Sequence, residues 1–198
     1  ATERNQVADR MELMRWAQTR MQESVAAYER KELDAAIRGF REVVSARPLY
    51  LDGHLFLAKA YRARGSADGA RAGLAAALRL DSGNRDVRVE LAGLHVEDGR
   101  HADALALLEP VRGAIESDAR ALTVLGESLV GVGRDEEALV WFGRALELDP
   151  ASEPAFRGVV AFHALAGNRH RVEQVLRDAE RAGASVAMVM VGAGDDCW

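Results

Sequence analysis

Five histidines, His54, His95, His101, His163 and His170, are the side chains best suited to hold a metal or move a proton. A zinc site on one helix needs two ligands four residues apart, so that both imidazoles leave the same face. No two of these histidines keep that spacing on one helix, and the single cysteine, Cys197, does not join them. The expectation is no metal and no cofactor, with His95 and His163 as packed, hydrogen-bonded residues. Glu136-Glu137 and Asp195-Asp196 are the paired carboxylates. Neighbours on a helix point in different directions, so Glu136 and Glu137 cannot form an acid/base pair by themselves. Nothing cationic adjoins Cys197 to lower its pKa, so it is not a nucleophile candidate. Neither a G-x-S-x-G nor a phosphate-cradling glycine loop occurs, and Gly192-Ala193-Gly194 is too short to be one. The residues predict no catalytic centre and a non-enzymatic protein.

The elements that would carry these side chains follow from composition and period. The chain has 198 residues, 48% hydrophobic and only 6% aromatic, with four prolines. Such usage favours helix over strand. The formal net charge is −5, which argues against a nucleic-acid binder or an anionic-membrane binder. No apolar stretch approaches the roughly 20 residues a membrane span requires. One cysteine allows no internal disulfide, and no signal-peptide pattern opens the chain. A soluble protein is expected, with cytoplasm and periplasm both open. The first residue is Ala1, not Met, which suits a processed form or a piece of a longer protein.

One period dominates. Gly65, Gly99, Gly133 and Gly167 are 34 residues apart. Ala36, Ala70, Ala104 and Ala138 keep that interval, and Val172 follows them. So do Phe40, Leu74, Leu108, Phe142 and Leu176, and also Leu57, Leu91, Leu125 and Val159. Glycine belongs where the chain reverses between helices, and alanine where two helices press together. Arg47-Pro48, Asp81-Ser82-Gly83-Asn84 and Asp149-Pro150-Ala151-Ser152 are turn and capping residues between hairpins.

These columns resemble the tetratricopeptide repeat, a helix-turn-helix unit of about 34 residues. Segment 119–152 is most similar, with Leu125-Gly126, Gly133, Ala138, Phe142, Ala145 and Pro150 in register. Segment 51–84 carries Leu57-Ala58, Tyr61, Gly65, Ala70, Leu74 and Ala77. Segments 85–118 and 153–186 are looser. Segment 17–50 has Glu23-Ser24 where the family has Leu-Gly. The resemblance implies an all-α fold, an α-solenoid of about five hairpins (17–50, 51–84, 85–118, 119–152 and 153–186) stacked as a right-handed superhelix. The first helix of each hairpin would face a concave groove.

Residues 1–16 form an N-terminal extension. Val7, Met11, Met14, Met21, Val25 and Tyr28 follow three-and-four spacing, predicting one helix from about Asn5 to Arg30. Its seam suits either a cap on the first hairpin or a coiled-coil-like contact with a second copy or a preceding domain, and Trp16 lies off it. Residues 187–198 hold an apolar segment, Ala187 to Val191, and an acidic tail. The segment is expected to cover the last hairpin as a strand or partial helix, or to lie in a groove.

The resemblance also implies where a partner would sit. By register the groove takes Met21, Val25 and Tyr28, then Leu55, Lys59 and Arg62, then Val89 and Val96. Arg120, Thr123, Glu127 and Val130 follow, and then Arg157, with Pro154 and Ala161 beside it. Lys59 and Arg62 make a compact basic pair, with Asp86 or Glu90 placed to neutralise it. A carboxylate clamp of Lys and Asn on successive first helices is absent, because Met21, Val25, Leu55 and Lys59 fill those positions. The lining is mixed apolar and charged, which suits a protein or peptide ligand. The expectation is a scaffold or adaptor. The alternatives are an accessory, recruitment or dimerisation region of a larger enzyme, and an oligomer self-assembled through the N-terminal helix, as a homodimer, or through the C-terminal tail.

Overall fold

The computed structural model describes residues 2–190, with side chains from residue 9 onward. The Val7 side chain, and Val191 to Trp198 with Cys197, lie outside the described residues. All regular elements among those described are helical, and they group into two units, residues 1–87 and 88–198. The first unit holds α1 (Thr2–Glu29), α2 (Leu33–Ala46), α3 (Leu51–Ala63) and α4 (Ala67–Leu80). The second holds most of α5 (Arg85–Glu97), then α6 (His101–Leu108) and a 3-10 helix (Glu109–Ala114). It continues with α7 (Ala119–Gly131), α8 (Asp135–Leu148), α9 (Glu153–Leu165), α10 (Arg169–Arg181) and α11 (Val186–Met190).

The glycine column closes the hairpins. Gly65, Gly99, Gly133 and Gly167 have φ between 69° and 83°, the left-handed region. At Gly133 the amide donates to Val130 O, and the next amide, Arg134, reaches back to Leu129 O. The same two bonds recur at 65, 99 and 167 and again at Gly183 after α10. This pair satisfies carbonyls that a helix end would otherwise leave open. The first hairpin does the same with a non-glycine. Lys31 adopts φ 65° and donates to Tyr28 O, while Glu32 donates to Ala27 O. A second turn joins one hairpin to the next, with an amide donating three residues back. It runs from Tyr50 to Arg47, Asn84 to Asp81, Asp118 to Ile115 and Ser152 to Asp149, again at intervals of 34.

The columns that pack are buried as their types require. Ala36, Ala70, Ala104 and Ala138 are fully enclosed, and Phe40, Leu74, Leu108 and Phe142 are buried beside them. In the first unit Phe40 meets Phe56 of α3 at 5.7 Å between ring centroids. Close helix approach needs small residues at the crossing. A Cβ on Gly73 would stand 3.0 Å from that of Ala58. One repeat earlier the pair is Ser24 and Gly39. Ser24 is buried, its hydroxyl donates to Arg20 O, and the bare Gly39 leaves it room. The departure at Glu23-Ser24 therefore keeps the packing, with the glycine moved to the facing helix.

Two local features differ from regular repeats. In α1 every side chain from Asp9 to Trp16 is exposed, and burial starts at Ala17. In the third hairpin the second helix stops at Leu108, because Pro110 cannot donate within a helix, and the chain continues as 3-10 to Ala114. Ile115 is then fully buried and re-anchors it. At the far end α11 is helical, one of the expected forms. Its Val189 is buried with Phe156, Val160, Val172 and Ala179. Ser185, just before α11, donates its amide to Glu153 of α9 at 3.0 Å.

A lysine in left-handed backbone is strained by about 1–2 kcal/mol. Lys31→Gly is therefore expected to raise stability by roughly 0.5–1 kcal/mol after the added freedom of the unfolded chain is deducted. Urea unfolding reads this as a higher midpoint at unchanged slope. A lower midpoint would mean that the lysine side chain itself holds the turn.

Candidate functional site

The second unit carries a concave pocket of about 570 Å³. Its walls are the C-terminal end of α7 (Glu127, Val130, Gly131), the first turn of α8 (Asp135, Glu136) and one face of α9. α9 supplies Pro154, Arg157, Gly158, Ala161, Phe162 and Leu165. Val96 of α5 and His101 of α6 complete the rim, and the Phe142 ring also lines the pocket. Two glycines in its walls let aromatic rings close directly onto the helix backbone. Gly131 faces the His101 ring and Gly158 faces the Phe142 ring so closely that a Cβ at either would collide. Phe142 also abuts Gly126, where a Cβ would lie 2.6 Å from its ring.

The electrostatics are uneven. Glu127 is half-buried in the wall, and no hydrogen bond or ion pair among the described residues engages its carboxylate. Burial pushes its pKa above the usual carboxylate value of 4.5, Arg157 of α9 pulls it back, and Glu97 adds a smaller upward push. The buried Nε of Arg157 has no hydrogen-bond partner. At the start of α8 the three acidic residues divide. Glu137 is bound by Arg112 and Arg134, whereas Asp135 and Glu136 line the pocket. Among the described residues no group of three or more His, Asp or Glu side chains is arranged to hold a metal.

A family model for the tetratricopeptide repeat matches residues 62–127. Solved structures extend the likeness to most of the chain. MamA aligns at 19% identity over 84% of this chain and 91% of its own, with a TM-score of 0.75. YrrB, described as a TPR protein with an unusual peptide-binding site, aligns at 20% identity over 87% and 89%, with a TM-score of 0.73. The fold is that of the tetratricopeptide-repeat structures, and residues 62–127 also match the repeat in sequence. None of the curated proteins matches the chain.

On this tetratricopeptide-repeat fold the residues expected by register part company. In the second unit Val96, Glu127, Val130 and Arg157 converge on the pocket, with Pro154 and Ala161. Val89 is instead buried in the core that includes Leu125 and Phe142. Thr123 is buried too, its hydroxyl donating to Ala119 O at 2.9 Å. Arg120 is bound by Glu90 of α5, which holds its pKa above the usual value chiefly through that hydrogen bond. In the first unit Met21 is buried among α1, α2 and α3, with Val25 and Tyr28 packed against the same cluster. Leu55 is half-buried, and Lys59 and Arg62 are exposed, the Lys59 ammonium lying 5.2 Å from the Phe56 ring centroid.

The register missed His101, Asp135 and Glu136, which open the second helices α6 and α8, and Phe162 and Leu165, which lie on α9 outside the register positions. The available signal is the acidic run 135–137, of which Glu136 and Glu137 alone were weighed, and set aside as an acid/base pair. Two histidines have structural places. His54 Nε2 lies 2.8 Å from Pro48 O, and His163 stands edge-on to Phe162 at 5.3 Å, with its pKa lowered by burial and then by Arg171.

Because burial raises the Glu127 pKa, folding favours its neutral form. The stability this confers is complete below about pH 4.5 and is lost as pH rises through the folded value. Glu127→Gln is therefore expected to unfold at a higher temperature than the parent at pH 7. The gap should close as pH falls below 4.5. Scanning calorimetry of both chains across pH checks this.

Proposed function

We propose that the chain is a protein-interaction scaffold whose second-unit pocket holds a segment of another polypeptide. The observation that carries this reading is the pocket itself. It lies in a tetratricopeptide-repeat fold, its volume falls in the range of ligand sites, and mostly apolar walls surround a few placed polar groups. The described peptide-binding site of YrrB, on a similar fold, supports it. Val96, Glu127, Val130 and Arg157 are the contact residues in that pocket. Leu55, Lys59 and Arg62 are the reachable side chains of the first-unit surface. Binding, not turnover, is the activity assigned.

A second reading, self-association through α1, is favoured by the exposed apolar side chains Met11, Leu13, Met14 and Trp16. These lie where the helix runs past its own hairpin, and contiguous exposed apolar surface on a helix marks a contact face. In this reading α1 pairs with a second copy.

Ala161→Trp fills the pocket from its wall without touching the turns. Phage-displayed random peptides panned on the chain are expected to yield binders that the variant does not retain, with the helical circular dichroism of the two proteins equal. Equal retention by both proteins would remove the pocket from the reading. Light scattering of the parent and of a Met11→Glu, Met14→Glu, Trp16→Glu variant tests α1. A concentration-dependent mass in the parent alone supports pairing, and a monomer mass in both ends it.

A further inference from the structure

The pocket walls are apolar, but their charge is not balanced. Three carboxylates, Glu127, Asp135 and Glu136, face the space with one guanidinium, Arg157, and one imidazole, His101. Glu97 adds its field at Glu127. The neighbouring cations do not answer this. Arg112 and Arg134 are taken by Glu137 and Glu109, and Arg120 by Glu90. Asp135 and Glu136 sit in the first turn of α8, at the end of the helix dipole that favours acidic side chains. Glu127 has a different setting. It is half-buried beside Val130 and Ala161, so it gives up water without gaining a hydrogen bond, which is costly for a charged group.

We infer that the pocket selects polypeptide segments that set a lysine or arginine beside an apolar side chain, with Glu127 receiving the cation and the Phe162–Leu165 wall receiving the apolar group. This rests on the reading of the pocket as a peptide site and adds the chemistry of its ligand. The volume holds two or three large side chains and not a folded domain. The apolar floor accounts for one of them. An acidic or neutral segment would leave Glu127 desolvated and unpaired, and would meet Asp135 and Glu136 at the mouth. Opposite charge placed in a site with low-dielectric walls is attracted more strongly than on an open surface. In the empty state the field of Arg157 partly offsets the burial of the Glu127 carboxyl, and a bound arginine or lysine takes over the role of close partner.

The test uses two fluorescein-labelled peptides of equal length with blocked ends. They share the same leucines and phenylalanine and differ only in carrying arginines or glutamates. Fluorescence anisotropy with the full chain is expected to show the arginine peptide binding at least tenfold tighter. Glu127→Gln should weaken it about tenfold and leave the glutamate peptide no weaker. Glu147→Gln, an exposed carboxylate at the other end of α8, removes the same charge outside the pocket and should change neither. Equal loss in the Glu127 and Glu147 variants would reduce the effect to overall charge and overturn the inference. Equal affinity for both peptides, abolished by Ala161→Trp, would also overturn it while leaving the pocket as a peptide site. Binding of the arginine peptide that survives Ala161→Trp would overturn both readings.

Discussion

Each hairpin depends on one backbone event, a residue forced into left-handed φ with two amides folded back onto the helix it ends. That reversal fixes the angle at which the second helix returns. The return angle decides which residues meet, so the alanine column can be fully enclosed and the Phe/Leu column can fill the space beside it. Glycine performs the reversal at little steric cost, and Lys31 shows that the geometry is kept even where the sequence does not ease it. The left-handed turn with its two bonds is thus kept whichever residue occupies the position.

The pocket is a by-product of the same arrangement. The hollow lies between the first helices α7 and α9, with the start of α8 at its edge, and Gly131 and Gly158 let the His101 and Phe142 rings seat against its walls. The charges around it arise separately. Asp135 and Glu136 are good residues to open a helix, and their place at the rim follows from α8 starting there. Glu127 has no such local reason, since it lies toward the C-terminal end of α7, where the helix dipole does not favour an acidic side chain.

Much of the fold was legible because its signals are periodic. Turn, small-residue and large-residue columns each repeat, and each repeat corroborates the others. The third hairpin was harder to read, because Pro110 and Gly113 break a helix that the columns continue through, and Ile115 restores burial out of phase. The lining of the pocket was legible in part. Register placed Val96, Glu127, Val130 and Arg157, which project from first helices at fixed intervals. It could not tell a lining residue from a core residue, so Met21, Val89 and Thr123 were included although neighbouring side chains enclose them. Nor could it reach His101, Asp135 or Glu136, whose approach to the pocket depends on tertiary placement of helix ends. The first hairpin's Glu23-Ser24 looked like a loss of pattern. In fact the small residue had moved across the contact to Gly39.

Phe142 belongs to the fourth hairpin, yet its ring is seated between Gly126 of that hairpin and Gly158 of the fifth. It also forms part of the pocket surface. A single ring thus fastens two repeats that a linear array would allow to open one at a time. Whatever occupies the hollow rests on that fastener, so occupancy would be felt as resistance to fraying of the last two repeats, whose own residues wall the hollow.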